Sequence, residues 1–136
     1  MSSHNQTGVI NELAKMQQLT QLIDLLVSKN IAILLLKGVA FNHCIYEKQA
    51  PRTSTDIDIL IKKEDWKSAV SLIKKVMDYA EKDQPDVFGD LYELSFKLKK
   101  KVGAALDLHM SLTYPKLFTI NEDELWQESV INPYFN

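Results

Sequence analysis

The chain has 136 residues, of which 46% are hydrophobic and 25% charged, with a formal net charge of −2. That is the length of one domain with a sizeable core and the balance of an ordinary globular protein. A slightly acidic chain has no basic footprint for general nucleic-acid binding, and its longest apolar run, Ile31 to Leu36, is far short of a membrane span.

The single cysteine, Cys44, forms no intrachain disulfide, which fits a reducing cytoplasmic setting. Met1 to Gly8 has neither the basic start nor the apolar centre of a signal peptide. We expect one domain over residues 1–136. An aromatic pair so near the end, Tyr134-Phe135, also fits a piece of a longer polypeptide.

From Ile10 to Ser28, Ile10, Leu13, Met16, Leu19, Leu22, Ile23 and Leu26 recur at helical spacing, and Lys29-Asn30 make a stop. Ile31 to Leu36 is expected as a strand buried on both faces. It runs into Lys37-Gly38, after which Val39 to Ile45 suggests a short helix. A helix that starts at a glycine presents free backbone N–H groups that favour an anion, and Lys37 adds a point charge there. The same pair also reads as a plain structural turn. Tyr46 to Thr55 is a polar loop containing Pro51 and Arg52, and Arg52 suits either phosphate oxygens or an ion pair with a nearby aspartate.

Asp56-Ile57-Asp58-Ile59-Leu60-Ile61 reads as a strand with Asp56 and Asp58 on one face and three isoleucines on the other. Two carboxylates about 6.7 Å apart along a strand repel by roughly 2–3 kcal/mol at an effective dielectric near 20. A divalent cation would relieve that repulsion; a solvated strand face is the bland alternative. Lys62 to Ala80 has helical spacing with acids first and lysines last, and Glu81 to Asp90 is a loop.

Leu91 to Lys100 alternates, with Tyr92, Leu94, Phe96 and Leu98 inward and Glu93, Ser95, Lys97 and Lys99 outward. A turn at Lys100 to Gly103 returns the chain as a strand over Ala104 to His109. The lysines of this hairpin read as its solvated side or as a steering patch for an anion. Asp107 sits between Leu106 and Leu108, where an acid needs a partner or a metal. His109 shares its face and reads as an orienting hydrogen-bond partner rather than a ligand. Asn121 to Val130 is expected as a helix capped by Asn121.

Lys-Gly at a strand-to-helix turn, Asp-x-Asp on the next strand and a third Asp on a later strand resemble the polymerase-beta-type nucleotidyltransferase superfamily. Leu36-Lys37-Gly38-Val39-Ala40, Arg52 through Asp56-Ile57-Asp58-Ile59-Leu60, and Leu106-Asp107-Leu108-His109 are most similar to the branch called uncharacterised nucleotidyltransferases, where Lys-Gly stands in place of Gly-Ser. The resemblance spans Ile31 to Met110. It implies an α/β (α+β) fold, with a small mixed sheet of about four strands flanked by helices.

The resemblance further implies that Asp56, Asp58 and Asp107 ligate Mg2+, or Mn2+ in its place, and carry catalysis. Lys37, Gly38 and Arg52 would hold a nucleoside triphosphate, with His109 behind the ligands. A nucleoside monophosphate would pass to a hydroxyl of a small-molecule or protein acceptor, releasing pyrophosphate. One alternative is an inactive nucleotide-binding or regulatory module of the same fold. Another, an Asp-x-Asp glycosyltransferase, calls for a longer chain with a strand–helix series ahead of the motif, and only one strand precedes it here.

Overall fold

The computed structural model describes residues 3–38, 40, 54–82, 92–100 and 102–131. Helix α1 (Ser3–Val27) leads into strand β1 (Ile33–Leu36), followed by β2 (Asp56–Ile61). A single 3-10 turn opens α2 (Trp66–Val76); then come β3 (Tyr79–Glu81), β4 (Glu93–Leu98), β5 (Ala105–His109) and α3 (Glu122–Gln127). Arg52, Cys44, the Tyr134-Phe135 pair and the loops containing Pro51 and Pro85 lie outside the described residues.

The five strands form one mixed sheet in the order β1-β2-β5-β4-β3. β2 and β5 are parallel and central, and the other neighbouring pairs are antiparallel. Strand alternation then decides the layers. Ile57, Ile59, Ile61, Leu106, Leu108, Leu94 and Phe96 face one side and are buried with Leu19, Leu22, Leu26 of α1 and Ala69, Ile73 of α2. Both helices therefore cover this face of the sheet, and the carboxylates of β2 and β5 project from the other.

Three sequence expectations change. Ile31 to Leu36 is not buried on both faces: β1 lies at the sheet edge, and all four of its residues are only half-buried. The helix expected to reach Ala80 stops at Val76, because Met77 turns extended and Tyr79 starts a fifth strand. Burial drives this switch, since the Tyr79 ring is 2% exposed and packs edge-on against Phe96. The first helix begins well before Ile10, and Ile10 and Leu13 are exposed, so its buried stripe starts later, at Leu19.

A side-chain latch ties α1 to the β4–β5 hairpin. Gln18 donates to the Tyr79 hydroxyl at 3.2 Å and accepts from Ala104 N–H at 2.8 Å, while Tyr79 donates to the Ala104 carbonyl at 3.2 Å. Gly103 makes the hairpin turn with φ of 129°, a conformation L side chains rarely adopt. Beyond β5, Asn121 caps α3 by accepting from Glu124 N–H at 3.3 Å, and Lys62 lies 5.3 Å from the centre of the Trp126 ring. Among the described residues no helix is long and apolar enough to cross a membrane.

Candidate active site

Register brings the acids together. Asp58 of β2 pairs directly with Asp107 of β5, and Asp56 with Ala105. Neighbouring strands lie about 4.8 Å apart, so Asp58 and Asp107 stand side by side on one face, with Asp56 two residues along. Asp107 follows Asp58 by 49 positions in sequence, and the parallel β2–β5 pairing closes that distance.

Asp58 is the centre of the cluster and is 7% exposed. Its Oδ1 accepts a hydrogen bond from Lys37 Nζ at 2.7 Å, and His109 Nε2 lies 3.1 Å from the same oxygen. A carboxylate only accepts, so the His109 proton facing it sits on Nε2. Burial pushes the Asp58 carboxyl up, but the hydrogen bonds from His109 and Lys37 outweigh it and hold the group below the usual carboxylate range. The bond to Asp58 raises Lys37 in turn and outweighs the opposing effect of burial, with the charges of Asp58, Glu93 and Asp107 adding to the rise.

β1 delivers Lys37. Leu36 pairs with Asp58, and Lys37 follows with a positive φ of 52°, a left-handed conformation that is costly for a residue other than glycine. Residues 37, 38 and 40 are helical, and the rest of the short helix expected over Val39 to Ile45 lies outside the described residues. A Cβ on Gly38 would lie 2.7 Å from Ser54 Cβ, so glycine is what lets this turn press against the segment leading into β2. Ser54 in turn donates to the Asp56 carbonyl at 2.6 Å, and its own carbonyl accepts from Lys15 Nζ at 3.1 Å. Lys15, 3% exposed, thus fixes the entry to β2 from α1 while paired with Glu12 at 2.7 Å.

Asp107 and His109 take their partners from β4. Ser95 Oγ donates to Asp107 Oδ1 at 2.6 Å, and Glu93 Oε2 lies 3.4 Å from His109 Nδ1. His109 therefore lies between Asp58 of β2 and Glu93 of β4. Alternation puts Ser95 and Glu93 on the outward side of the strand with the lysines. Yet Ser95 is 5% exposed. Lys97, Lys99 and Lys100 are exposed as expected, and Lys100 pairs with Asp78 at 2.6 Å.

The donors suit a hard divalent cation, since three carboxylates offer only oxygen. Their backbone positions on two neighbouring strands also suit one. The side chains themselves are turned to protein partners: Asp56 Oδ2 accepts from Thr55 at 3.0 Å, Asp58 from Lys37, and Asp107 from Ser95. Among the described residues no three His, Cys, Asp or Glu side chains converge as a metal-holding group. An open cleft on the other side of the sheet, between α1, the end of α2 and β3, has Asp24 and Asp78 on its rim but none of these carboxylates.

The fold is that of a nucleotidyltransferase. The sequence matches the uncharacterised nucleotidyltransferase family over residues 1–133, and the chain belongs to that family. A search of curated proteins returns no match. Among solved structures, the chain is similar in fold to the lincosamide antibiotic adenylyltransferase LnuA in its lincomycin-bound form. The TM-score is 0.54 at 17% identity, over 68% of this chain and 53% of LnuA. The chain thus matches about half the length of that enzyme.

Proposed function

We propose that this chain is a metal-dependent nucleotidyltransferase whose active face is the carboxylate side of β2 and β5. The observation that carries this reading is the direct pairing of Asp58 with Asp107, with Asp56 on the same face. In this reading Asp56, Asp58 and Asp107 hold Mg2+, or Mn2+ in its place. The ion, when bound, neutralises phosphate charge and acidifies the acceptor hydroxyl.

Lys37, the amides near Gly38 and Arg52 bind the triphosphate of the nucleotide. Lys37 leaves Asp58 for the phosphates, a change that a 64% exposed lysine side chain makes without moving the backbone. The acceptor oxygen attacks the α-phosphorus in line; the bond from that phosphorus to the bridging oxygen breaks, and pyrophosphate leaves. The hydroxyl proton passes to the Asp107 carboxylate and then to solvent. Catalysis is positioning and charge neutralisation. LnuA modifies an antibiotic, which favours a small-molecule hydroxyl as acceptor, with a protein hydroxyl as the other class.

A second reading, an inactive nucleotide-binding module, draws on one observation. Asp58 is already charge-balanced by Lys37 and lies against His109. The test begins with the four ribonucleoside triphosphates, screened for thermal stabilisation with and without Mg2+. The stabilising triphosphate, radiolabelled, is then incubated with cell extract. A labelled acceptor with stoichiometric pyrophosphate supports the transferase. Metal-dependent binding with no labelled product supports the module instead.

A further inference from the structure

β4 presents two polar side chains to the site face, Glu93 and Ser95, and register sets them opposite His109 and Asp107. A buried hydroxyl needs a partner, and Ser95 finds one in Asp107 Oδ1 at 2.6 Å, the short distance of a hydroxyl donating to a carboxylate. Carboxylate torsions are broad and roughly two-fold, so an aspartate with no such donor is poorly oriented. Ser95 removes that freedom from Asp107. Glu93 stands 3.4 Å from Nδ1 of the imidazole whose Nε2 faces Asp58, so it holds the ring that in turn holds the central acid.

We infer that Ser95 and Glu93 are positioning residues that set Asp107 directly, and Asp58 through His109, for cation binding. This rests on the proposed function. Neither residue touches the reacting atoms; Ser95 acts one contact behind Asp107, and Glu93 two contacts behind Asp58. Outer partners of metal ligands commonly govern affinity by about 10- to 100-fold. Were Ser95 only filling space in the sheet, alanine would serve as well, since it removes a buried polar atom along with its bond.

The experiment is Mn2+ titration of the full chain, read from the electron paramagnetic resonance of free Mn2+ well below the thermal transition of each variant. Ser95→Ala is expected to weaken binding about tenfold or more, and Ser95→Thr, which keeps a hydroxyl, to restore it to within about threefold. Glu93→Ala is expected to weaken it about threefold, with Glu93→Gln, which keeps the side chain's length beside the ring, restoring it. Wild-type affinity in Ser95→Ala overturns the inference while leaving the proposed function standing. Should Ser95→Ala fail to fold, Glu93→Ala decides: unchanged affinity overturns the inference. A wild-type chain that takes up no Mn2+ contradicts the proposed function, and this inference falls with it.

Discussion

On β2, Ile57, Ile59 and Ile61 turn toward α1 and α2 and are fully buried, while Asp56 and Asp58 turn to the other side of the same strand. β5 repeats the division, with Leu106 and Leu108 inward and Asp107 and His109 outward. One face is stabilised by removing apolar surface from water, and its residues have no alternative partners. The other is held by charged and hydroxyl groups in specific pairs: Lys37 with Asp58, Ser95 with Asp107. The difference assigns stability to one face and chemistry to the other. Substitutions on the two faces should therefore fail in different ways.

The sharpest break is on the polar face. Asp58→Asn keeps shape but removes the charge, so it is expected to abolish metal-dependent triphosphate binding in calorimetric titration while the protein stays folded. On the apolar face, Leu106→Ala should cost about 2–5 kcal/mol in denaturant unfolding. Any site function that survives folding should be unchanged. If Leu106→Ala instead impaired triphosphate binding in the folded protein, the division between faces would be wrong.

Tyr79 gives a pH-dependent version of the same contrast. Burial pushes its hydroxyl up to about 12 from an ordinary 10. A raised pKa favours the neutral form in the folded state, so this contribution is complete below pH 10 and is lost as pH rises from 10 through 12. The two-unit difference amounts to roughly 2–3 kcal/mol, and Tyr79→Phe should flatten that alkaline decline in stability curves. The smallest effect is expected at Lys37→Ala. With Lys37 largely exposed, its pair with Asp58 is worth under about 1 kcal/mol of stability. Triphosphate affinity should still fall several-fold, because the same ammonium serves the phosphates.

Much of this division is legible in the sequence. Alternation along Asp56 to Ile61 and Leu106 to His109 separates acids from core residues, and Lys37-Gly38 marks the turn that lies beside them. The fifth strand is not legible, because Tyr79 continues the helical spacing of Trp66 to Val76 and only the pocket beside Phe96 draws it into the sheet. Ser95 is not legible because alternation groups it with Lys97 and Lys99 on the outward side of its strand, and only the β4–β5 pairing sets it opposite Asp107. Lys15 gave no signal either, since a lysine within an amphipathic helix reads as solvated until Ser54 is placed against it.

Under the proposed function, the divalent cation binds the carboxylate face of β2 and β5 and no other part of the molecule. Mn2+ added in substoichiometric amounts to isotope-labelled protein tests it directly, because paramagnetic broadening falls steeply with distance from the ion. The account expects amide signals of residues 56–58 and 105–109 to broaden first, with those of α1 around Leu22 spared. Broadening centred on the acidic start of α3, or on the cleft at Asp24 and Asp78, would contradict it.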